Sequence, residues 1–271
     1  MTQSIPLYQI DAFTQDVFAG NPAAVCPLDD WLDDKVLQQI ARENNLSETA
    51  FVVANTGGKT DYKLRWFTPT FEIDLCGHAT LATAWVLFHE LGEDKVEISF
   101  QTEQRGVLTV VRGDGGLISM DFPAMAPRPA PHHMRLEQAI GGPAREFWTA
   151  PNGMHMAVLS RADDIHDIRP SMAAIAEMGD KGLIVTAQAE GEGGVDFISR
   201  YFTPKEGIAE DPVTGAAHCV LAPYWAKRLK KDQLHGRQVS KRGGDVFCEV
   251  SEKRVKLSGY AVLYLKGEII L

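Results

Sequence analysis

The chain carries one pattern twice. RWFTPTFEIDLCGHATLATAW begins at Arg65, and RYFTPKEGIAEDPVTGAAHCVLAPYW begins at Arg200. Each opens Arg–aromatic–Phe–Thr–Pro, crosses an acidic stretch, and reaches a glycine (Gly77, Gly215) that starts a charge-free segment. The second copy holds three more residues between its FTP and that glycine. Fainter echoes precede the pair in the same order. GNPAAV at 20–25 resembles NGMHMAV at 152–158, and VLQQIARENNLSETAFVV at 36–53 resembles SMAAIAEMGDKGLIVTA at 171–187. One shared tripeptide means little, but an ordered series of matches is the mark of duplication. Two halves must therefore fold alike. The joint near 121–145 is rich in Pro, Ala and Gly and reads as a linker. The expected domains are 1–122 and 123–271, with the end of the chain free to pack on the first.

The segment after Asp74, LCGHATLATAWVLF, has no formal charge and no polar face. A helix that is apolar all round is buried all round. Each half also holds a helix-like amphipathic stretch and many β-rich runs, such as VEISFQ and VLTVVRG, with RGDGG and KRGGD turns between them. A curved sheet wrapped on the apolar helix would bury it. The expected fold is α+β: two homologous domains, each a β-barrel-like sheet around a central helix, with the active site in the cleft between them. Gly77 in one half and Thr214-Gly215-Ala216 in the other then open helices whose N-termini favour an anion, so a substrate carboxylate suits them.

Composition narrows the partners. Of 271 residues, 45% are hydrophobic and 23% charged, with a net charge of -9. No basic stripe is present for a phosphate backbone, so nucleic acid is not expected. No apolar run spans a bilayer and no signal peptide is visible, which points to the cytoplasm and away from membranes. Cys26, Cys76, Cys219 and Cys248 show neither a disulfide framework nor zinc-ligand spacing. Nucleotide-binding loops and HExxH are absent. No cofactor and no metal are expected.

Several residues carry chemistry and a plainer reading side by side. Glu48 in NLSETAF stands at a loop-to-strand boundary; it is either a cleft acid/base with a raised pKa or an ordinary turn glutamate. His78 is either a proton donor or a polar residue of a first helical turn. Asp211 in EDPVTG either orients a proton or simply caps a helix. Cys76 lies at a helix N-terminus, which lowers a thiol pKa. Its matching position is Thr214, so a two-thiol mechanism with Cys219 lacks its symmetric partner, and buried inert cysteine fits both.

Taken together, QIDAFTQDVFAGNPAAV, NNLSETAFV, RWFTPTFEIDLCGHATLATA and RYFTPKEGIAEDPVTGAAH resemble the PhzF-like proteins, the phenazine-biosynthesis isomerases of the diaminopimelate-epimerase-like fold. The resemblance runs in order along nearly the whole chain. It implies a homodimer and cofactor-independent proton transfer on a small carboxylate-bearing metabolite. By motif, it makes Glu48 the acid/base glutamate, with His78 and Asp211 beside it. Gly77 and Gly215 match the helix-start glycines, and Asn21 a residue near the substrate pocket. One departure stands at Ala216, where the family often has Ser. Two alternatives remain: a thiol-dependent epimerase or racemase using Cys76, and an inactive small-ligand-binding protein on the same scaffold.

Overall fold

The computed structural model describes residues 3–131, 134–179, 181–189 and 193–271. The chain divides into two compact units, 1–121 with 258–271, and 122–257. Residues 258–271 group with the first unit.

The first unit contains β1 (Ser4–Ala12), β2 (Asn21–Leu28), α1 (Asp34–Asn44), β3 (Glu48–Ala54), β4 (Tyr62–Phe67), β5 (Glu72–Ile73), α2 (Gly77–His89), β6 (Glu97–Gln101), β7 (Val107–Arg112) and most of β8 (Ile118–Pro123). The second contains β9 (Arg128–Pro129), α3 (Met134–Ile140), β10 (Glu146–Thr149), β11 (His155–Val158), α4 (Ala162–Asp167), α5 (Met172–Glu177), β12 (Leu183–Gln188), β13 (Phe197–Thr203), β14 (Ile208–Asp211), α6 (Gly215–Leu229), β15 (Gln233–Gln238), β16 (Gly244–Ser251) and most of β17 (Arg254–Gly259). The last strand, β18 (Ala261–Ile270), returns to the first unit.

The strand pairings show the duplication more clearly than the residues do. In the first unit β2/β3 and β4/β6 are parallel, while β1/β2, β3/β4, β4/β5 and β6/β7 are antiparallel. In the second, β11/β12 and β13/β15 are parallel, while β10/β11, β12/β13, β13/β14 and β15/β16 are antiparallel. Each strand of one unit finds its counterpart in the other. Where β18 flanks β1 in the first unit, the short β9 flanks β10 in the second.

Each sheet is covered on two faces. The central helix α2 buries ten of its thirteen residues, so it has no polar face to offer water. It packs on β1, β2, β3 and β18. Its two threonines return their hydroxyls to the helix, Thr80 to Cys76 O at 2.6 Å and Thr83 to Ala79 O at 2.7 Å, which makes them tolerable inside an apolar shell. The amphipathic α1 closes another face, setting Leu37, Ile40 and Ala41 against Ile5, Cys26, Phe51 and Phe67. With helices on both sides, β3 is buried at five consecutive positions. In the second unit α6 packs on β15 and β16, and Trp225 Nε1 donates to Thr186 Oγ1 of β12 at 3.0 Å. There the single amphipathic helix is replaced by α3, α4 and α5, which bury Leu136, Ile140, Ile165 and Ile175. The stretch read as a linker holds β9 and α3, because Leu136, Ala139 and Ile140 give it an apolar face of its own. His132 and His133 of that stretch lie outside the described residues.

The repeated Arg–aromatic–Phe is a clamp. Arg65 Nε and Nη2 each donate at 2.7 Å to the two carboxylate oxygens of Glu72, and its guanidinium lies over the Phe67 ring at 5.1 Å. Arg200 grips Glu210 in the same fork at 2.7 and 2.9 Å, over Phe202 at 4.9 Å. Planar forked pairing explains why arginine and not lysine occupies both positions. The longer segment of the second copy begins with the short turn Pro204–Glu206, which opens on the proline of its FTP.

Candidate active site

The site in the first unit is assembled from three chain ends. Asn21 opens β2 directly after Gly20, whose φ of +63° and whose pro-Cβ direction, 2.2 Å from Ala12 O, admit no side chain. Glu48 opens β3. Helix α1 is capped by Asp33, which accepts from Lys35 N at 2.8 Å, and ends at Asn45 in a left-handed conformation with φ 49°. Asn44 Nδ2 donates to Thr49 Oγ1 at 3.1 Å, tying the helix end to the strand start and fixing where Glu48 emerges. Cys76 and His78 come from the N-terminal turn of α2, where Cys76 is the residue before the helix.

These side chains meet around the His78 ring. Nε2 lies 3.1 Å from Glu48 Oε2, at ion-pair distance but without an aligned hydrogen bond. Nδ1 lies 3.3 Å from Asn21 Nδ2 and 3.4 Å from Cys76 Sγ. His78 and Cys76 are buried, and the Glu48 side chain is 13% exposed. Three of the predicted residues, Asn21, Glu48 and His78, therefore converge, and Gly77 supplies the helix start beside them. The N–H groups of that turn receive no side-chain cap from Cys76, which leaves the positive end of the helix at the site.

Electrostatics decide the protonation of the cluster. Burial works against a charged His78, yet Cys76 and Glu48 outweigh it and hold the imidazole well above its ordinary 6.5. The Cys76 thiol is itself pushed up to about 11, first by burial and then by the Glu48 charge. A neutral thiol cannot supply the negative charge that supports the imidazolium, so we assign that role to Glu48. The sequence-based expectation of a lowered thiol pKa at this helix start is corrected: desolvation outweighs the helix terminus.

The second unit presents its own helix start. Thr214 precedes α6 and donates its hydroxyl to Asp211 Oδ2 at 2.5 Å. The fully buried Gln238 clasps the same turn, donating to Asp211 O at 2.7 Å and accepting from Thr214 N at 2.9 Å. Asp211 is buried, and Gly215 and Ala216 follow as the first helical residues. Gln238 escaped the sequence reading because nothing local distinguishes it. A second missed pair had a signal. Asp61 and Asp196 each stand four residues before the repeated arginine. Asp61 Oδ2 accepts from Ser99 N and Asp196 Oδ2 from His235 N, both at 2.8 Å. These are bridges between strands, not site groups. Cys219 is buried on α6.

Residues 10–267 match the family described as phenazine biosynthesis-like protein. The chain is 47% identical over 267 residues to an uncharacterized isomerase of Pseudomonas aeruginosa, covering 98% of this chain and 99% of that protein. The crystal structure of a PhzF-family phenazine biosynthesis protein from Enterococcus faecalis is similar with a TM-score of 0.92 at 45% identity, covering 99% of this chain and 100% of that one. A protein described as a predicted epimerase from Pseudomonas aeruginosa shares the fold, with a TM-score of 0.75 at 19% identity over 98% of this chain and 99% of that one. Among the described residues, no helix is long and apolar enough to cross a membrane.

Proposed function

Because the chain belongs to the phenazine biosynthesis-like protein family and is an isomerase, we propose that it moves a proton within a small carboxylate-bearing metabolite, with Glu48 as the acid/base. The observation that carries this reading is the Glu48–His78 pair, 3.1 Å apart at the N-terminal end of a buried apolar helix. Glu48 takes a proton from a carbon next to the carboxylate or in an allylic position. The electron pair left behind spreads into the carboxylate as enolate-like charge. The His78 cation and the N–H groups at the α2 start stabilise charge of that sign. Glu48 then returns the proton to another carbon, or to the same one. The reaction is proton transfer in both directions and leaves the enzyme unchanged.

In the same reading Asn21 positions His78, and Asp211 with Thr214 and the N–H groups of Gly215 and Ala216 serve substrate binding and orientation. Backbone donors do not need the hydroxyl that Ala216 lacks, which is why the departure at that position is compatible with a carboxylate guest. A thiol mechanism gains no support, since a Cys76 thiol pushed up to about 11 is almost wholly protonated at neutral pH. The test is exchange. A panel of small saturated and unsaturated carboxylic acids is incubated in D2O with the protein, and carbon-bound deuterium is read by NMR. Incorporation is expected with the wild type and is lost in Glu48→Gln. An exchange rate unchanged in Glu48→Gln overturns the role of Glu48, and a protein that only binds ligands gives no exchange with any acid.

A further inference from the structure

We propose that Glu48, Cys76 and His78 form a reversible site for one thiophilic divalent cation of the zinc type, and that its occupation stops proton transfer. The binding half of this statement stands by itself. The inhibitory half rests on the reading of Glu48 as the base.

The ligand atoms of the three residues all lie within 4.8 Å of one another. His78 Nε2 is 3.1 Å from Glu48 Oε2 and 4.0 Å from Cys76 Sγ. A tetrahedral zinc ion, with bonds of about 2.3 Å to sulfur and about 2.0–2.2 Å to nitrogen and oxygen, holds its ligand atoms about 3.3–3.6 Å apart. The separations of 3.1 and 4.0 Å from Nε2 bracket that range; the Cys76 sulfur now lies nearer Nδ1, at 3.4 Å, so a rotation of the Cys76 side chain is what brings all three donors to one ion. The donor set is one sulfur, one nitrogen and one oxygen. Three protein ligands with a fourth position left for water or substrate is the composition of an open zinc site, and thiolate with imidazole discriminates against magnesium and calcium.

The surroundings suit the role. Binding releases two protons to solvent, one from the Cys76 thiol and one from the His78 imidazolium; with Nε2 on the ion, Nδ1 keeps the remaining ring proton and needs an acceptor. The Asn21 amide stands 3.3 Å from Nδ1, and turning its carboxamide presents Oδ1 to that N–H. Cys76 and His78 are fixed by one helical turn, and Glu48 by the helix-to-strand tie at Asn44 and Thr49. Sequence spacing hid the site. Cys-x-His is not a standard ligand pair, and the third ligand comes from another strand of the fold.

Spectroscopy reads the site without a substrate. Cobalt(II) added to metal-free protein is expected to give a thiolate-to-metal charge-transfer band that zinc displaces at one equivalent. Cys76→Ser is expected to abolish the band and weaken zinc binding by more than about tenfold. Cys219→Ser, which removes a thiol of the other unit, is expected to leave both unchanged. X-ray absorption of the zinc-loaded wild type should show one sulfur among nitrogen and oxygen neighbours, a result that does not depend on any variant folding. No binding of either metal at millimolar concentrations, a sulfur-free zinc shell, or a band that survives in a folded Cys76→Ser overturns the site. Zinc bound with deuterium exchange undiminished overturns the inhibition and leaves the binding. Exchange retained in Glu48→Gln refutes the catalytic reading while the cobalt band is judged separately.

Discussion

His218 is the most stringent place to test the electrostatics of the two helix starts. It lies on α6 with no exposed surface. Nδ1 donates to Thr214 O at 2.8 Å, while Nε2 is buried without a hydrogen-bond partner among the described residues. Protonation would place a cation and an unpaired N–H against Phe197, whose ring centroid is 5.9 Å away. Burial accordingly pushes the ring down to about 4. Unfolding restores the ordinary value of about 6.5, so the unfolded chain takes up a proton that the folded chain refuses. The stabilisation is whole above pH 6.5 and is lost as the pH falls toward 4. At about 1.4 kcal/mol per unit, the loss amounts to about 3 kcal/mol. The informative variant is His218→Thr, because Thr80 at the matching position of α2 returns its hydroxyl to the helix at 2.6 Å. The smaller side chain costs about 1 kcal/mol in packing at neutral pH. Urea unfolding from pH 7.5 to 4 should therefore show the wild type more stable at first and less stable than the variant at the acid end. Parallel decline of the two curves would refute the reasoning, as would a His218 proton titrating near 6.5 by NMR.

Other expectations follow from the same structure. Arg200→Met should cost about 3 kcal/mol in urea unfolding, since it strands Glu210 and also removes donors to the Ile165 and Ile168 carbonyls; Arg65→Met, whose partner Glu72 is more exposed, should cost about 2. Equal stability of wild type and Arg200→Met would show the clamp to be ornamental. Cys76 should resist iodoacetamide at pH 8 in the folded protein, with a rate that climbs with pH toward about 11, as read by mass spectrometry of the tryptic peptide. For His78 the sign is opposite to that of His218: its raised pKa contributes stability that is complete below about 6.5 and is lost as pH rises through the folded value. Glu48→Gln should lower the His78 titration midpoint seen by NMR; an unmoved midpoint would mean Glu48 is not the supporting charge.

What could be read from the residues was whatever repeats or is local. The duplicated FTP motif announced two like units, and the charge-free run at 75–88 announced a helix buried on all sides. Pairing over long separations was invisible. Nothing in the pattern of AVLYLKGEII says that it lies beside SIPLYQIDA, yet β18 and β1 pair along their whole length. The motif arginines were recognised as a repeat but their job was not, because Glu72 and Glu210 sit at unequal distances along the chain and meet their partners only across β-turns. Glu48 and His78 stand out at a loop-to-strand boundary and a helix start, Asn21 enters only by resemblance, and the meeting of the three depends on strand and helix ends that a single sequence does not juxtapose. Inert burial of Cys76 is legible in its charge-free surroundings, but the direction of its pKa is not: the helix terminus can be seen in sequence, while the burial that overrides it is a property of the packed unit.

The pairing of β18 with β1 has a consequence for how the protein is made. During synthesis the first 121 residues emerge early but lack the strand that flanks β1. Residues 122–257 emerge next and hold the second compact unit in one continuous stretch. The unit that is begun first is thus finished after the second, its β1 edge waiting with unpaired backbone groups until β18 is made. An exposed β-edge of that duration invites chaperone binding on the ribosome, and a chain halted at residue 257 would hold one finished unit and one open one.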